Sequence, residues 1–220
     1  MARGNGRMDI FLDDLDRRTF IYLLGEIVEE FAIVCWNYCL MSNHFHLTWC
    51  PTLPNISEAM RQLNSRYAQW WNDRHDRVGH VFQGRFKAQI VQRDNYLLTL
   101  CRYVVMNPVR GGITAHPGDW PWSSYRATVG LEKCPPFLSV RSVQYLFGDS
   151  DIEVLQARFA DYVVQPHPEE DPIIDRFRSK ETILGDKAFK GAVRAEAGLD
   201  EAEEGGAEAS VSAVEDVAGV

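Results

Sequence analysis

A helix–strand–strand–helix pattern in the first third of the chain constrains its fold more than any other feature. Apolar side chains recur at helical spacing over residues 12–31 and again over residues 56–73. Between these helices lie two strand-like runs, residues 32–40 and 44–50, which the short turn at residues 41–43 separates. The pattern predicts two helices that flank two consecutive strands.

The next part of the chain predicts one more strand and one more helix. Apolar and polar residues alternate over residues 80–91, which is typical of a strand with one buried face. A helix is expected over residues 94–107, with Asp94 as its N-cap. It should end at Asn107, because Pro108 disfavours a helical conformation of the residue before it.

Charge is distributed unevenly along the chain. The net charge of the whole chain is −8, which is unusual for a protein that binds nucleic acid. Residues 1–145, however, hold 16 Lys and Arg against 13 Asp and Glu, a net charge of +3. Residues 146–220 hold 7 against 18, a net charge of −11. The first two thirds of the chain are therefore compatible with DNA binding.

Four parts are expected along the chain. A globular domain spans residues 1–130, and residues 131–165 form a helical extension with two short helices. Residues 166–198 form a linker and a small helical segment, and residues 199–220 form an acidic disordered tail.

The composition also bears on where the protein works. No run of about 18 apolar residues is present, so no transmembrane helix is expected. The N-terminus lacks the apolar stretch of a secretory signal, so we expect a cytoplasmic location. The five cysteines form no CxxC pair, and we expect reduced thiols.

Two pairs of residues are candidates for chemistry. His44 and His46 lie two residues apart in a predicted strand, so both imidazoles share one strand face and could bind a metal ion. Tyr103 and Asn107 lie four residues apart in a predicted helix, so the phenol and the amide share one helix face. Surface histidines would explain the first pair, and a boundary tyrosine with a helix-capping asparagine would explain the second. Taken alone, each pair favours that structural interpretation.

Four basic residues are candidates for contact with DNA phosphates. Arg85 and Lys87 lie on the polar face of the predicted strand, Arg66 lies on a polar face of the second helix, and Arg110 follows the third helix. A solvated charged surface explains them equally well. Tyr96 is a second candidate nucleophile, but it has no asparagine four residues later.

Tryptophans and cysteines allow further interpretations. Four tryptophans could stack on unpaired bases, although packing is the more common role: Trp70, Trp71, Trp120 and Trp122. Three cysteines near the histidines raise a zinc alternative: Cys35, Cys39 and Cys50. Cys50 is about 13 Å from His46 along an extended strand, which is too far for shared ligation.

The order of four sequence blocks carries more information than any single pair. They are Tyr38-Cys39-Leu40-Met41-Ser42-Asn43-His44-Phe45-His46-Leu47, Gly79-His80-Val81-Phe82-Gln83-Gly84-Arg85-Phe86-Lys87, Arg102-Tyr103-Val104-Val105-Met106-Asn107-Pro108-Val109-Arg110 and Trp120-Pro121-Trp122-Ser123-Ser124-Tyr125. With these blocks the chain resembles the single-tyrosine HUH transposases, and within them the REP-associated tyrosine transposases.

The resemblance implies both a fold and a reaction. The fold is α+β, a ferredoxin-like α/β sandwich with an antiparallel sheet, and residues 1–130 are its catalytic domain. The reaction is metal-dependent cleavage and transfer of single-stranded DNA through a covalent 5′-phosphotyrosine, as used in DNA transposition. Tyr103 would be the nucleophile, and His44, His46 and Asn107 would bind Mg²⁺ or Mn²⁺. The resemblance also implies a homodimer that acts on single-stranded hairpin (palindromic) DNA in the nucleoid.

One feature departs from the family pattern. Members begin with a strand that precedes an Arg-Gly-Asn run, and here Arg3-Gly4-Asn5 follows almost at once. The first strand is therefore expected to be missing, which would expose unpaired strand edges and lower stability. Two other functions remain open: a non-catalytic nucleic-acid-binding module on the same fold, and a zinc-stabilised interaction protein.

Overall fold

A three-stranded antiparallel sheet lies at the centre of the fold. In the computed structural model, which describes residues 1–148, 151–168 and 171–198, the strands are β1 (Ala2–Arg3), β2 (Ile33–Leu40) and β3 (His44–Pro51). Their order is β1-β3-β2, so the strand that carries both histidines is central. This confirms the predicted α+β class and its antiparallel sheet.

The expectation that the first strand is missing is wrong. β1 is only two residues long, but it pairs with β3 at Ala2–Phe45 and Arg3–His44. An isolated antiparallel bridge from Gly4 to Phe82 extends the sheet beyond β1. The succession of strands and helices is therefore that of a ferredoxin-like unit. Because β1 is present, the lowered stability expected from a missing strand loses its reason.

Two long helices cover one face of the sheet. They are α1 (Asp14–Glu30) and α2 (Ile56–Arg74), close to the predicted bounds. α1 begins where the Asp13 carboxylate accepts hydrogen bonds from the backbone N–H groups of Leu15 and Asp16. The buried core beneath them includes Phe20, Leu24, Leu63, Tyr67, Trp71 and, from the sheet, Phe45.

A bulge in β2 determines which side chains face which layer. Cys35 pairs with Trp49 and Asn37 pairs with Thr48, so Trp36 is an extra residue in the ladder. Past the bulge the alternation changes phase, and Asn37 turns to the face opposite α1 and α2. There its amide nitrogen donates to the carbonyl of Cys101, at 3.1 Å.

The helix α3 (Arg93–Val105) packs on this second face, and the short α4 (Asn107–Arg110) follows it. The helix α3 ends at Val105, two residues before the predicted end at Asn107. Asn107 and Pro108 instead lie in the first turn of α4, where the missing N–H of a proline costs nothing. The N-cap is Gln92 rather than the predicted Asp94, because α3 begins one residue before Asp94.

The predicted strand over residues 80–91 is largely absent. Only β4 (Ile90–Val91) is a regular strand. The backbone N–H of Gln83 donates to the carbonyl of Arg3, and that of Lys87 donates to the carbonyl of Met1. Four residues on this segment therefore span two residues of the N-terminal segment, and a regular ladder cannot form. The alternation itself survives, because Phe82 packs against the core and Lys87 is exposed.

The other edge of the sheet is covered by the chain after α4. Leu40 donates from its backbone N–H to the carbonyl of Trp122, and Ser124 and Ser139 donate to the carbonyls of Tyr38 and Cys35. This segment protects the edge of β2 from pairing with another chain. It includes α5 (Tyr125–Thr128) and leads to α6 (Val140–Gln144) and α7 (Ile152–Val164), and α7 packs on α3.

The predicted small helical segment near the C-terminus has more structure than expected. It comprises α8 (Asp171–Arg178), β5 (Ile183–Leu184) and α9 (Lys187–Glu196). β5 pairs in parallel with β4. The tail predicted over residues 199–220 lies outside the described residues, and the domain boundaries stay predictions. No helix in the described ranges is both long and apolar enough to cross a membrane.

Candidate active site

Strand β3 places the two histidines side by side. Phe45 between them is fully buried against α1 and α2, so the alternation of the strand turns His44 and His46 to the α3 face. Their ring centroids are 5.1 Å apart and the rings are nearly perpendicular, at 77°. Both side chains are half-buried. The predicted common face of the histidine pair is confirmed.

Both imidazoles are held in the neutral form that binds metal ions. Burial lowers the pKa of His44 to about 4, and the charges of Arg3 and the N-terminal ammonium group add to the shift. Burial also lowers the pKa of His46 well below its ordinary value. The Nδ1 atom of His44 lies 2.7 Å from Oδ1 of Asn43. That oxygen can only accept, so Nδ1 of His44 carries the proton and Nε2 keeps its lone pair for a ligand.

Helix α3 brings Tyr103 to the histidines. The Tyr103 ring lies edge-on to that of His46, with centroids 6.0 Å apart and planes at 88°. Behind it, Tyr103 packs on a small buried cluster of Cys39, Met41 and Val104 that joins α3 to the sheet. A tyrosine and a histidine distant in sequence are thereby brought into contact.

Asn107 and Arg110 both bind the backbone of Tyr103. The Asn107 amide nitrogen donates to the Tyr103 carbonyl at 2.8 Å and to the Val104 carbonyl at 3.2 Å. The Arg110 guanidinium donates to the same Tyr103 carbonyl at 2.8 Å, and its Cζ lies 4.9 Å from the centroid of the Tyr103 ring. Since its nitrogen is engaged, Asn107 has its oxygen left as the atom that could ligate a metal. That role stays a prediction.

The residues around the histidines fit a divalent cation of the Mg²⁺ or Mn²⁺ class. Two neutral imidazoles and an amide oxygen are compatible ligands for such ions, although they do not select one of them. Within the described residues, no three His, Cys, Asp or Glu side chains lie together as a metal site. Cys35 and Cys39 are fully buried, and burial raises the pKa of the Cys35 thiol to about 12, which disfavours the thiolate that zinc binds. These two buried thiols therefore do not support the zinc alternative.

The four basic residues predicted to contact DNA lie in different places. Arg110 lies on Tyr103, as described, and Arg85 and Lys87 are exposed beside the N-terminal segment that forms β1. Arg66 lies on α2, on the other side of the sheet from the histidines, and its guanidinium pairs with Glu30 at 2.9 Å. Contact with DNA stays a prediction for all four.

The other sequence candidates have structural partners. The Arg176 guanidinium lies over the Tyr96 ring and donates to its hydroxyl at 3.2 Å, so α8 covers the second candidate nucleophile. Trp71 is buried in the core, and the indole nitrogen of Trp120 donates to the Leu40 carbonyl. Packing is thus the role that the structure shows for these two tryptophans.

Sequence reasoning missed two residues of this site. Asn43 directly precedes His44 in the Asn-His-Phe-His run, and an amide beside a candidate ligand was the available signal. Phe177 of α8 lies with its ring centroid 5.5 Å from that of Tyr103. No motif linked the two, since Phe177 lies far beyond the four sequence blocks.

The comparisons with known proteins cover the residues of this site. Residues 1–107 match the family described as "Transposase IS200 like", and the matched stretch contains both histidines, Tyr103 and Asn107. A protein of Haemophilus influenzae, provisionally named a REP-associated tyrosine transposase, is 26% identical over 153 residues. That similarity covers 59% of this chain and 86% of the relative. No solved structure matches the chain. Residues 1–107 are thus similar to the IS200-like transposase family, and this similarity supports a role in DNA transposition.

Proposed function

We propose that this protein cleaves and rejoins single-stranded DNA with Tyr103 as its nucleophile. The edge-on contact between His46 and Tyr103 carries the proposal, because it unites a metal-binding pair and a nucleophile from distant parts of the chain. Asn107 would complete the ligand set through its amide oxygen. The proposed substrate is a single-stranded hairpin, and the proposed active form is a homodimer.

The proposed reaction exchanges one phosphodiester for another. A divalent cation bound by His44, His46 and Asn107 would stabilise the negative charge that develops on the phosphate. The Tyr103 Oη atom attacks the phosphorus, and its bond to phosphorus forms as the bond to the 3′ oxygen breaks. The 3′ oxygen leaves with the electron pair and takes up a proton, while the phenol loses its proton to water. The products are a 5′-phosphotyrosine and a free 3′-hydroxyl.

The chain's own residues orient the nucleophile before the reaction. Asn107 and Arg110 fix the backbone of Tyr103, and the Arg110 guanidinium also lies on its ring. Because the nucleophile is already positioned, less entropy is lost in reaching the transition state, and the activation barrier is lower. The phosphotyrosine keeps the energy of the phosphodiester, so a 3′-hydroxyl can attack it and join strands without ATP.

A covalent adduct tests the proposal. The protein is incubated with Mn²⁺ and a labelled hairpin oligonucleotide that has randomised single-stranded flanks, and the products are separated on a denaturing gel. We expect a labelled protein band for the wild type and for Tyr96→Phe, and its complete loss in Tyr103→Phe, which lacks only the attacking oxygen. Tyr96→Phe is the matched control, since Tyr96 lies on the same helix.

Two other results would contradict the proposal. DNA binding without any adduct would identify a nucleic-acid-binding module. An adduct that persists in Tyr103→Phe and disappears in Tyr96→Phe would show that Tyr96, and not Tyr103, is the nucleophile. The proposed homodimer is tested separately by sedimentation of the protein with and without the hairpin.

A further inference from the structure

Helix α8 lies against the nucleophile from outside the family-matched stretch. Phe177 is 8% exposed, and its ring contacts that of Tyr103 with centroids 5.5 Å apart. Tyr103 therefore has His46 at one side, Arg110 over its ring and Phe177 at a third side. His46 and Arg110 lie on or beside the fixed sheet and α3, whereas Phe177 belongs to a separate C-terminal unit.

We propose that residues 171–198 form an intramolecular cap that a DNA strand must displace before it reaches Tyr103. The inference rests on the proposed function, because it assumes that Tyr103 needs access to a phosphodiester. A phosphate and its two attached sugars need open space around the phenol, and the Phe177 ring occupies part of that space.

The cap is attached at defined points. The backbone N–H groups of Ile90 and Gln92 donate to the carbonyls of Thr182 and Leu184, both at 2.8 Å, and form the short β4–β5 pair. The side-chain amide of Gln89 donates to the carbonyls of Arg176 and Glu181, at 3.2 and 2.8 Å. These contacts lie at the start of α3, so the same helix carries the nucleophile and receives the cap.

The attachment is small enough to open. The regular pairing covers two residues, and short parallel pairs are weaker per residue than antiparallel ones. Few apolar side chains of the cap are buried: Ile174, Phe177, Ile183, Leu184 and Val193. Elements with little buried apolar area open at less cost than the core of the same protein. The core between the sheet, α1 and α2 can therefore stay intact while the cap leaves.

The cap sets the fraction of molecules that can bind substrate. If only the open state binds DNA, the apparent dissociation constant is the intrinsic one divided by the open fraction. Loosening the cap should then strengthen DNA binding, and locking it should abolish both binding at Tyr103 and adduct formation. A purely structural C-terminal unit predicts neither effect.

Two variants of the full chain change the cap in opposite directions. Phe177→Ala removes the ring that contacts Tyr103, and Phe147→Ala is its matched control, since Phe147 packs on Phe159 and Tyr162, outside the cap. The double variant Ile90→Cys/Ile183→Cys joins β4 to β5 through paired positions and locks the cap when it is oxidised. Dithiothreitol should release the lock.

Three measurements follow these variants: anisotropy of the labelled hairpin oligonucleotide, adduct formation with Mn²⁺, and hydrogen exchange of residues 171–184. We expect Phe177→Ala to raise DNA affinity and adduct yield by about tenfold over the wild type and over Phe147→Ala. The oxidised lock should lose both, dithiothreitol should restore them, and DNA should speed exchange in the wild-type cap.

The outcomes separate the cap from the chemistry. An adduct that forms equally in all variants, oxidised or reduced, overturns the cap and leaves the proposed function standing. Faster cap exchange with DNA, without an adduct in any variant, supports the cap and contradicts the role of Tyr103. If Phe177→Ala fails to fold, the oxidised lock alone decides, and an unchanged adduct yield overturns the proposal.

Discussion

Asn43 accepts from Nδ1 of His44 and so leaves Nε2 as the nitrogen that a metal ion would bind, and this gives a prediction at the scale of one residue. Without the Asn43 oxygen, Nδ1 of His44 loses its acceptor at 2.7 Å and the ring can take either tautomer. We expect Asn43→Ala to weaken Mn²⁺ binding by roughly 10- to 100-fold, measured by calorimetry without DNA. Asn72→Ala is the control, because the Asn43 and Asn72 amides both donate to a backbone carbonyl, at 3.1 and 3.0 Å. Equal Mn²⁺ affinity in the wild type, Asn43→Ala and Asn72→Ala would show that Asn43 does not contribute to metal binding.

The sequence indicated the central residues of the site but not their surroundings. Alternation along a strand was enough to place His44 and His46 on one face, because that geometry is local. The contact between His46 and Tyr103 could be expected only from the order of the four blocks, since local periodicity says nothing about which elements meet. Phe177 gave no signal at all, because it lies on a helix that a short strand pair holds in place.

At the scale of elements, a buried hydrogen bond from Asn37 joins the sheet to α3. The Asn37 side chain is 2% exposed, and its amide nitrogen donates to the Cys101 carbonyl at 3.1 Å. We expect Asn37→Ala to lower the free energy of unfolding by about 1 kcal/mol, since it removes the buried hydrogen bond between β2 and α3. It should also lower the adduct yield, because α3 carries Tyr103. Urea denaturation and the gel assay measure the two effects.

Thr48 offers a matched control beside Asn37. The two residues are paired across β2 and β3, and Thr48 is also buried, but within the described residues its hydroxyl has no hydrogen-bond partner. Thr48→Val removes an unpaired buried hydroxyl and should leave stability unchanged or slightly higher. If Asn37→Ala is as stable as Thr48→Val, the hydrogen bond does not hold α3.

The success of element prediction followed how local each signal was. Four elements were predictable because each buries one face, and the spacing of its own apolar residues reveals that face: α1, β2, β3 and α2. The segment over residues 80–91 has the same alternation, yet its ladder depends on how many residues lie opposite it, and that is a property of the N-terminal segment. The bulge at Trp36 was hidden for the same reason, since only the register against β3 reveals it.

At the scale of the whole molecule, the two ends of the chain act on the site in different ways. Residues 1–107 hold the histidines, Tyr103 and Asn107, and they account for the family match. Residues 171–198 pack over Tyr103 and carry nearly balanced charge, with six basic and five acidic residues. The excess of negative charge lies in residues 149–170, with six acidic residues and one basic, and in residues 199–220, with seven acidic residues and none basic. We therefore expect the cap to act through contact and the acidic residues to act through charge.

The last 22 residues, 199–220, contain seven acidic and no basic residues, and their charge should oppose DNA binding. The negative charges of the tail repel the phosphates of DNA over roughly a Debye length, about 10 Å at 0.1 M salt. We expect replacement of all seven by Asn or Gln to raise affinity for single-stranded DNA about fivefold at low salt. A tail of the same length in which alanines become Gln, with its acids kept, should bind as the wild type does.

The gain in affinity should shrink steadily as salt is raised to 0.3 M, because screening removes a long-range repulsion but would leave a specific tail–site contact largely intact. A gain that stays constant across this range would mean that the tail competes for the site itself, and no gain at low salt would mean that its charge does not reach the bound strand.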